Sequence, residues 1–553
     1  MRLVFLCLLL LLGGCQQPQP KVVIFGVDGC DPVLLERFIA EGKLPNLARL
    51  GHRTRLATTD PPQSPVAWST FVTGLDPDQH GIHDFLHRGP EGQAIPSLTS
   101  VKDGRYQLER KGKPFWLELA GRVPVTVVKT PADFPPEPGG RVLAGLGVPD
   151  LEGSYGTFSF YSTGPRRELE GGRFVPVEVH DGQVRASLVG PAGDSVPFQV
   201  AIEGQSAFIR TQDQQELLKV GQWSDWVPVS FTRVDGMVRF YLQATEPEFR
   251  LYVSPLNVDP ARPSLPIATP EDFARHLYHH CGRFYTQGMP DDTKALTSGV
   301  FDDEEFLTQS QLVYAERKRL LAQSLDEYKT GLLFFYTPQV DIISHLYWRA
   351  SDPQHPGYKL QAPGHSDAIE KAYQQADELL GMILAKTDSK TLVLVVSDHG
   401  FAPFYRSFDL NAWLGQNGYA GKAQAVGFNG LYLTHPDSKL RDELSQRLLA
   451  VRDGDHPVIH RVVRPATGPD LLIGYERGYR ASWQTALGKA GDQVLSDNLD
   501  HWSGDHLIDA ELVPGVLLCN QAVHVSDPHL RDLAPTILAH FGLPSHLPGR
   551  VLR

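Results

Sequence analysis

The chain has 553 residues, of which 41% are hydrophobic and 21% charged, enough to bury a large core and too much for one small module. Its formal net charge of −12 argues against a general nucleic-acid-binding protein, because such proteins concentrate Lys and Arg to displace counterions from phosphates. We therefore expect one large domain with an insertion, or two domains, and no nucleic-acid partner.

The first twenty residues have the pattern of a targeting segment. Arg2 precedes an apolar run from Leu3 to Leu12, which is followed by Gly13-Gly14-Cys15 and a polar Gln/Pro stretch. The run is too short to span a bilayer, which takes about 20 apolar residues. Its Leu-Gly-Gly-Cys end resembles the lipobox of bacterial lipoproteins, in which the signal is removed and the cysteine is lipid-modified. We expect residues 1–20 to be a signal segment, with export to the cell envelope and a lipid anchor at Cys15. A plain secretory signal or an uncleaved anchor stays an alternative.

Three near-continuous apolar runs predict strands that are buried on both faces of a parallel sheet: Lys21–Asp28, Gly331–Tyr336 and Thr391–Val396. Helical patterns alternate with these runs at Pro32–Gly51, Pro270–Tyr285, Asp303–Leu325 and Ser366–Leu384. The alternation predicts a doubly wound α/β fold with a mostly parallel sheet. Because ligands gather at the carboxyl ends of such strands, the residues that follow each run are the first candidates for a site.

Between about Tyr155 and Asn257 the pattern changes to short alternating segments separated by Gly, Pro and Asp. Examples are Phe174–His180, Phe198–Ile202 and Val238–Gln243. Such segments are typical of an all-β unit. We therefore predict a first core part at residues 21–154, a β-rich insertion at 155–260 and a second core part at 261–553.

The cysteines bear on what could hold a metal ion. Outside the targeting segment only Cys30, Cys281 and Cys519 remain, an odd number scattered along the chain. This pattern predicts no disulfide framework, and the chain has no C-x-x-C pair. Any metal ion would therefore be held by histidines and carboxylates.

Two candidate site segments lie in the first part of the chain. Asp28 directly follows the first strand, although Asp-Gly is also an ordinary turn. Ser64 followed by Pro65 predicts a helix N-cap with proline at the first helical position. Free amides there would favour an anionic phosphate beside the Ser64 hydroxyl. A simply capped helix is the alternative.

Two more candidates follow the later strands. Asp341 and His345 are four residues apart, so they would share one face of a helical turn and could hold one metal ion together. Asp398 and His399 follow the Thr391 strand and could share a cation if Gly400 allows a sharp turn. An Asp–His pair on a solvated helix and an ordinary turn are the respective alternatives.

The order of these four segments, followed by His506 in Trp502-Ser503-Gly504-Asp505-His506, resembles the alkaline phosphatase superfamily, and within it the type I phosphodiesterase/nucleotide pyrophosphatase family. The resemblance covers about residues 21–89 and 331–553, and the region predicted to be the insertion lies outside it. It implies an alkaline phosphatase-like fold and a metal-dependent hydrolase of small-molecule phosphate esters. A phosphodiesterase is favoured, and a phosphomonoesterase of the same fold stays an alternative.

The resemblance also implies roles for particular residues. Ser64 corresponds to the nucleophile through its spacing of ten residues to Gly74, and it would form a phosphoseryl intermediate. Two divalent metal ions, expected to be zinc, would be held by two sets of ligands. The first set is Asp28, Ser64, Asp398 and His399, and the second is Asp341, His345 and His506. The ligand types alone do not distinguish zinc from manganese or iron.

One departure from the family bears on the substrate. Nucleotide-cleaving members carry an asparagine three residues after the nucleophile, where this chain has Ala67. The loss of that donor to a phosphate oxygen weakens any prediction of a nucleotide substrate. Four further histidines, His80, His83, His87 and His365, are either residues at the edge of the site or ordinary core and surface histidines. Trp68 either lines the pocket or packs its helix onto the sheet.

Three other functions compete with this prediction. A sulfatase would need Pro two residues after its nucleophile and Arg two residues further on, whereas Ser64 is followed by Pro65-Val66-Ala67-Trp68. A cofactor-independent phosphoglycerate mutase shares the metal pattern, but its cytoplasmic role conflicts with the targeting segment. A non-catalytic binding protein of the envelope would have at least one broken ligand position, and all seven positions are occupied.

Overall fold

The computed structural model describes residues 20–360 and 364–552. Cys15 and the predicted signal segment up to residue 19 therefore lie outside the described residues. Within the described ranges, no helix combines the length and the apolar character needed to cross a membrane.

One large mixed sheet organises the molecule. Its strands are β1 (Lys21–Val27), β2 (His52–Leu56), β3 (Val125–Thr130), β4 (Arg141–Ala144), β5 (Ala268–Thr269), β6 (Gly331–Thr337), β7 (Thr391–Val396) and β8 (Gly515–Cys519). Their order across the sheet is β2-β8-β7-β1-β6-β3-β4-β5. The run from β7 to β4 is parallel throughout, whereas β8 and β5 pair antiparallel with their neighbours. The predicted parallel sheet is thus the centre of a mixed one.

Twelve α-helices are present among the described residues. They are α1 (Pro32–Ala40), α2 (Ser64–Thr73), α3 (Pro77–His80), α4 (Asp272–Cys281), α5 (Thr293–Thr297), α6 (Asp303–Glu327), α7 (Gln339–Ser351), α8 (Ala368–Lys386), α9 (Leu410–Gln416), α10 (Ser438–Leu449), α11 (Trp483–Ala486) and α12 (Leu533–His540). The helix predicted to run to Gly51 ends at Ala40, because Gly42 follows with a φ of 73°.

Alternating side chains of β1 belong to two different cores, one on each face of the sheet. Val23 and Phe25 pack in the core that includes residues of α6 and α8. Val22 and Ile24 pack in the core that includes residues of α2 and α12. Because a strand's side chains point alternately to opposite faces, helices cover both faces of the sheet.

Residues 155–260 contain strands and a single 3-10 turn, Pro191–Gly193, but no α-helix. The strands form three small sheets. The first contains Phe158–Ser162, Gly172–Pro176, Gln222–Trp223, Phe240–Ala244 and Arg250–Val253, and the second contains Gln183–Val189, Ser195–Glu203, Ser206–Thr211 and Gln214–Lys219. The third contains Val227–Ser230, Asp235–Val238 and Asn257–Val258. The segment predicted as one strand at Val238–Gln243 is thus split between two sheets. That residues 155–260 form an insertion stays a prediction.

The remaining strands lie in small sheets and hairpins. One sheet contains Ala402–Phe408, Gly478–Ala481, Leu495–Asp497 and Gly504–Asp505, and a second contains Ala423–Ala425, Gly430–Leu433, Ile459–Val463 and Leu471–Tyr475. The hairpins are Leu86–Arg88 with Ala94–Pro96, Thr99–Lys102 with Arg105–Leu108, and Arg452–Asp453 with His456–Pro457. The strand Gly504–Asp505 of the first of these sheets directly precedes His506. His506 therefore lies at the edge of the main sheet where β1, β6 and β7 end.

Candidate metal centre

Three adjacent parallel strands bring the predicted carboxylates together. Asp28 follows β1, Asp341 lies in the first turn of α7 just after β6, and Asp398 follows β7. Because β1 pairs in parallel with both β6 and β7, the three residues meet at one edge of the sheet. All three carboxylates are buried there.

The first predicted ligand set is compact. The Ser64 hydroxyl lies 3.3 Å from Asp28 Oδ1 and 3.2 Å from His399 Nε2. His399 Nε2 also lies 3.3 Å from Asp28 Oδ1 and 3.2 Å from Asp398 Oδ2. All four predicted members of this set therefore have a potential ligand atom around one point.

The second predicted set lies against the first. Asp341 Oδ1 is 3.4 Å from His345 Nε2 and 3.6 Å from His506 Nε2. Asp341 and His506 also have potential ligand atoms within 4.8 Å of one on His399. The seven predicted residues thus form one continuous buried cluster.

The three imidazoles are oriented by backbone carbonyl groups. The Nδ1 atoms of His345, His399 and His506 lie 2.8, 3.1 and 2.6 Å from carbonyl oxygens of Gly504, Gly400 and Pro62, respectively. A carbonyl oxygen only accepts hydrogen bonds, so each Nδ1 is the protonated nitrogen and donates. In the neutral rings the lone pair is then on Nε2, the nitrogen that faces the cluster. This arrangement is common in histidines that bind metal ions.

The carboxylates leave acceptor atoms unused. Asp341 Oδ1 and Asp398 Oδ2 are buried without a hydrogen-bond donor among the described residues. Within the same part of the chain, the ion-pair partners of the three carboxylates are all histidines. Buried carboxylates require a compensating positive charge. The oxygen and nitrogen donor set therefore fits divalent cations such as Zn2+.

The local charges shift the pKa values in opposite directions. Burial lowers the pKa of His399, but the charges of Asp398 and Asp28 raise it to about 10. Burial raises the pKa of Asp28, but the hydrogen bond and charge of His399 outweigh it and lower the pKa to about 2. The pKa of Asp398 lies well above its usual range because of burial and the charge of Asp28. The cluster thus favours positive charge at its centre.

Asp28 is held by two donors that the sequence did not identify as such. The Tyr336 hydroxyl and the Trp68 indole Nε1–H donate to Asp28 Oδ2 at 2.5 and 2.9 Å. Trp68 is fully buried and also contacts the rings of Phe71 and Phe334, so it packs α2 onto the sheet. The sequence did offer one signal for Tyr336: it lies at the end of a predicted strand, and a candidate ligand follows that strand.

Ser64 is the first residue of α2, and the prediction that it is the N-cap was wrong. Gln63 is the N-cap residue and has an extended backbone conformation. Its side chain does not cap the helix, because Nε2 donates to Asp84 at 2.9 Å and to Asn429 Oδ1 at 2.7 Å. Asp84 also accepts hydrogen bonds from the backbone amides of Phe428 and Asn429. The start of α2, and with it the Ser64 hydroxyl, is fixed by this buried network.

Two glycines allow the backbone to approach the cluster closely. A Cβ atom on Gly29, which has a φ of 68°, would lie 2.8 Å from the Cα of Asp341. A Cβ atom on Gly400 would lie 2.7 Å from the carbonyl oxygen of Pro514. The φ of Gly400 is not positive. Glycine is therefore needed there for space rather than for a left-handed backbone conformation.

A second group of residues supports His345 and His506, and sequence reasoning missed it. Trp502 stacks on the His345 ring with centroids 4.1 Å apart, and its Nε1–H donates to Asp505 Oδ2 at 3.0 Å. The fully buried Arg480 donates to the same oxygen at 2.7 Å. Asp505 Oδ1 accepts the backbone N–H of His506 at 2.8 Å. The position of Asp505 directly before His506 was the only signal in the sequence.

The other predicted candidates do not join the cluster. His80 is buried against Thr70, and burial lowers its pKa to about 3. His83 contacts Thr467, His87 contacts Ser97 and His365 contacts the ring of Tyr347. Ala67 is packed in the core beneath α2, so its position supplies no donor to a substrate.

Comparison with known proteins gives one match that covers most of the chain. The family model described as type I phosphodiesterase / nucleotide pyrophosphatase matches residues 22–497. This range contains every residue of the predicted cluster except His506. A search of curated proteins gave no match.

Proposed function

This chain belongs to the type I phosphodiesterase/nucleotide pyrophosphatase family and is a phosphoric ester hydrolase, and from that premise we propose that it cleaves phosphate diesters with Ser64 as the nucleophile. One observation carries the proposal. The Ser64 hydroxyl lies 3.3 Å from Asp28 Oδ1 and 3.2 Å from His399 Nε2, beside carboxylate oxygens that lack a donor among the described residues.

The family is metal-dependent, and we propose a centre for two divalent ions, with zinc as the preferred metal. Asp28, Ser64, Asp398 and His399 would hold one ion, and Asp341, His345 and His506 would hold the other. When bound, such ions stabilise charge on the phosphoryl oxygens and lower the pKa of a coordinated hydroxyl.

The chain's own residues account for the positioning of the reaction. The hydrogen bonds of Gln63 fix the start of α2, so the Ser64 oxygen is held in one place before substrate arrives. The amino end of α2 carries a partial positive charge that favours the anionic phosphate group. Ser64 Oγ would form a bond to phosphorus as the bond to the leaving alcohol breaks. Water would then hydrolyse the phosphoseryl ester and restore Ser64.

The substrate class follows from what surrounds Ser64. Ala67 offers no donor to a phosphate oxygen, and the side chain of the nearby Asn429 is engaged with Gln63, Ile473 and Leu507. This favours a small-molecule phosphate diester that is not a nucleotide.

We also propose where the enzyme works and how its chain is divided. The targeting pattern of residues 1–20 supports export to the cell envelope and a lipid anchor at Cys15. Residues 155–260, whose strands pair only with one another, support a β-rich insertion into the alkaline phosphatase-like core. Intact-mass measurement of the membrane-extracted protein would detect a lipid on Cys15, and an unmodified cysteine would contradict the anchor.

The experiment that tests the activity compares bis-p-nitrophenyl phosphate with p-nitrophenyl phosphate, using the full chain with added zinc. Wild type, Ser64→Ala and Ser69→Ala are assayed, and their bound metals are counted by mass spectrometry. Ser69 is a matched control because it lies in the same helix and its hydroxyl donates to the Pro65 carbonyl group.

Diester cleavage that is lost in Ser64→Ala and kept in Ser69→Ala, with at least two metal ions per wild-type chain, would support the proposal. Preference for the monoester would make the protein a phosphatase instead. A wild-type chain that binds no metal would overturn the proposed mechanism.

A further inference from the structure

A second group of metal-binding side chain types lies away from Ser64. His276, His280 and Glu327 each place a potential ligand atom within 4.8 Å of the others. The histidines are one turn apart on α4, and Glu327 is the last residue of α6. Glu327 precedes β6, and Asp341 follows the opposite end of that strand. A strand of seven residues spans about 20 Å, so the group is separate from the Ser64 cluster.

The two histidine rings lie side by side and make different hydrogen bonds. His280 Nδ1 lies 2.8 Å from the carbonyl oxygen of His276, so it donates, and the lone pair of the neutral ring is on Nε2. His276 Nε2 lies 2.6 Å from Glu327 Oε1. The ring centroids of the two histidines are 4.5 Å apart. His276 Nε2 donates to Glu327 here, and it would release that proton to bind an ion, because metal ligands must be deprotonated.

Glu327 is held in place by two other side chains. Arg141 contacts Oε2, and Gln323 contacts Oε1 from one turn earlier on α6. A ligand carboxylate is commonly held by hydrogen bonds in this way. The carboxylate is a quarter exposed and His276 is 37% exposed, so an ion can reach both side chains.

We propose that His276, His280 and Glu327 form a third site for a divalent metal ion, of the borderline class that includes Zn2+. Two imidazole nitrogens and one carboxylate oxygen are a common protein ligand set for zinc. The ion would link α4 to the end of α6. Because the ligands converge only in the folded chain, binding would stabilise the fold. The proposal does not rest on the activity proposed for Ser64.

The test uses zinc chloride alone as the probe and compares full-length wild type with His280→Ala and His279→Ala. His279 is a matched control because it is an exposed neighbour on the same helix that lies outside the group. His276→Gln is added because glutamine can still donate to Glu327. Zinc per chain is counted after dialysis against a fixed low zinc concentration, and melting temperatures are measured with and without zinc.

We expect His280→Ala and His276→Gln to bind one zinc ion fewer than wild type. Zinc should also raise their melting temperatures less than it raises that of wild type, while His279→Ala should match wild type in both measurements. Equal zinc counts in all four proteins would overturn the proposal. The comparison is repeated in a His506→Ala background. A one-ion difference that remains there places the ion outside the Ser64 cluster, and a difference that disappears there also overturns the proposal.

Discussion

The imidazole rings of His399 and His506 lie face to face, with centroids 3.5 Å apart and planes inclined by only 9°. They belong to different predicted ligand sets, so this ring pair is where the two sets meet. His399 Nε2 faces Ser64 Oγ, and His506 Nε2 faces Asp341 Oδ1. Ions held by these neighbouring rings would be close enough to act on one substrate, as two-metal sites do.

We predict that His506→Ala lowers diester cleavage at least 100-fold and reduces the bound metal by about one ion per chain. The residue serves only the Asp341 set, so the set around Ser64 should keep its ion. Mass spectrometry of the bound metal and initial rates would check this. His87→Ala, a half-buried histidine outside the cluster, should match wild type. Full activity of His506→Ala with about one metal ion fewer than wild type would contradict the two-ion proposal.

Tyr336→Phe should weaken the centre without unfolding the protein. The substitution removes the 2.5 Å hydrogen bond to Asp28 Oδ2 and leaves the one from Trp68. Loss of such an outer partner typically reduces metal affinity or activity by about 10–100-fold. Burial and the charge of Asp28 raise the pKa of Tyr336 well above its usual range, so the hydroxyl remains a donor at neutral pH.

Zinc titration of Tyr336→Phe beside Tyr161→Phe would isolate this effect. Tyr161 is also buried, but its hydroxyl donates to the Ser187 carbonyl group, far from the centre along the chain. Equal zinc affinities in the two variants would show that the Tyr336 hydroxyl does not tune Asp28.

Asp84→Asn should lower kcat about 10-fold while the metal content stays at the wild-type level. Asp84 contacts none of the predicted ligand side chains, but it accepts a hydrogen bond from Gln63, the residue before Ser64. The NH2 group of asparagine would face groups that now donate hydrogen bonds to the carboxylate. Because two donors cannot pair with each other, the start of α2 would shift. Rates and metal counts are measured on the same samples. An unchanged kcat would mean that the network does not position Ser64.

Asp133→Asn should change how stability depends on pH. Burial raises the pKa of Asp133 from 3.8 to about 7, against the opposing charge of Arg110. A folded-state pKa above the unfolded value means that the folded state binds more protons over this range. Its contribution to the unfolding free energy is therefore fully present below about pH 4 and is lost as pH rises to about 7.

The size of this loss is at most about 4 kcal/mol, at about 1.4 kcal/mol per pKa unit. Wild type should therefore lose more unfolding free energy than Asp133→Asn between pH 4 and pH 8, and the variant should be the more stable protein at pH 8. Urea denaturation at several pH values would measure both. Parallel stability curves for the two proteins would show that Asp133 is ionised in the folded state throughout.

The central strands could be predicted from the sequence because burial on both faces leaves an uninterrupted apolar run. Thr391–Val396 has the predicted bounds, and β6 extends the predicted Gly331–Tyr336 by one residue. Adjacent parallel strands then bring Asp28 and Asp398 to one edge. The end of α1 was missed because only the pattern of apolar residues was followed to Gly51, although Gly42 was a signal in the sequence for the end of a helix.

The supporting residues could not be predicted because their contacts are distant in the chain. Asp84 accepts the backbone N–H of Asn429 across 345 positions, and Gln63 reaches Asn429 across 366. Arg480 is fully buried, where a charged residue is rare, and only the folded structure reveals Asp505 and the flanking aromatic rings as its partners. Local sequence carries no signal for such pairings.

The position of β1 at the centre of the sheet has a consequence for biosynthesis. Val22 pairs with Leu332 on one side and with Leu392 on the other, so neither neighbour of the first strand exists until much of the chain has been made. Strand β1 would keep both edges unpaired until β6 and β7 have been made. Long-range pairing of this kind slows folding and leaves strand edges prone to aggregation. The nascent chain is therefore expected to need a chaperone until β6 and β7 arrive.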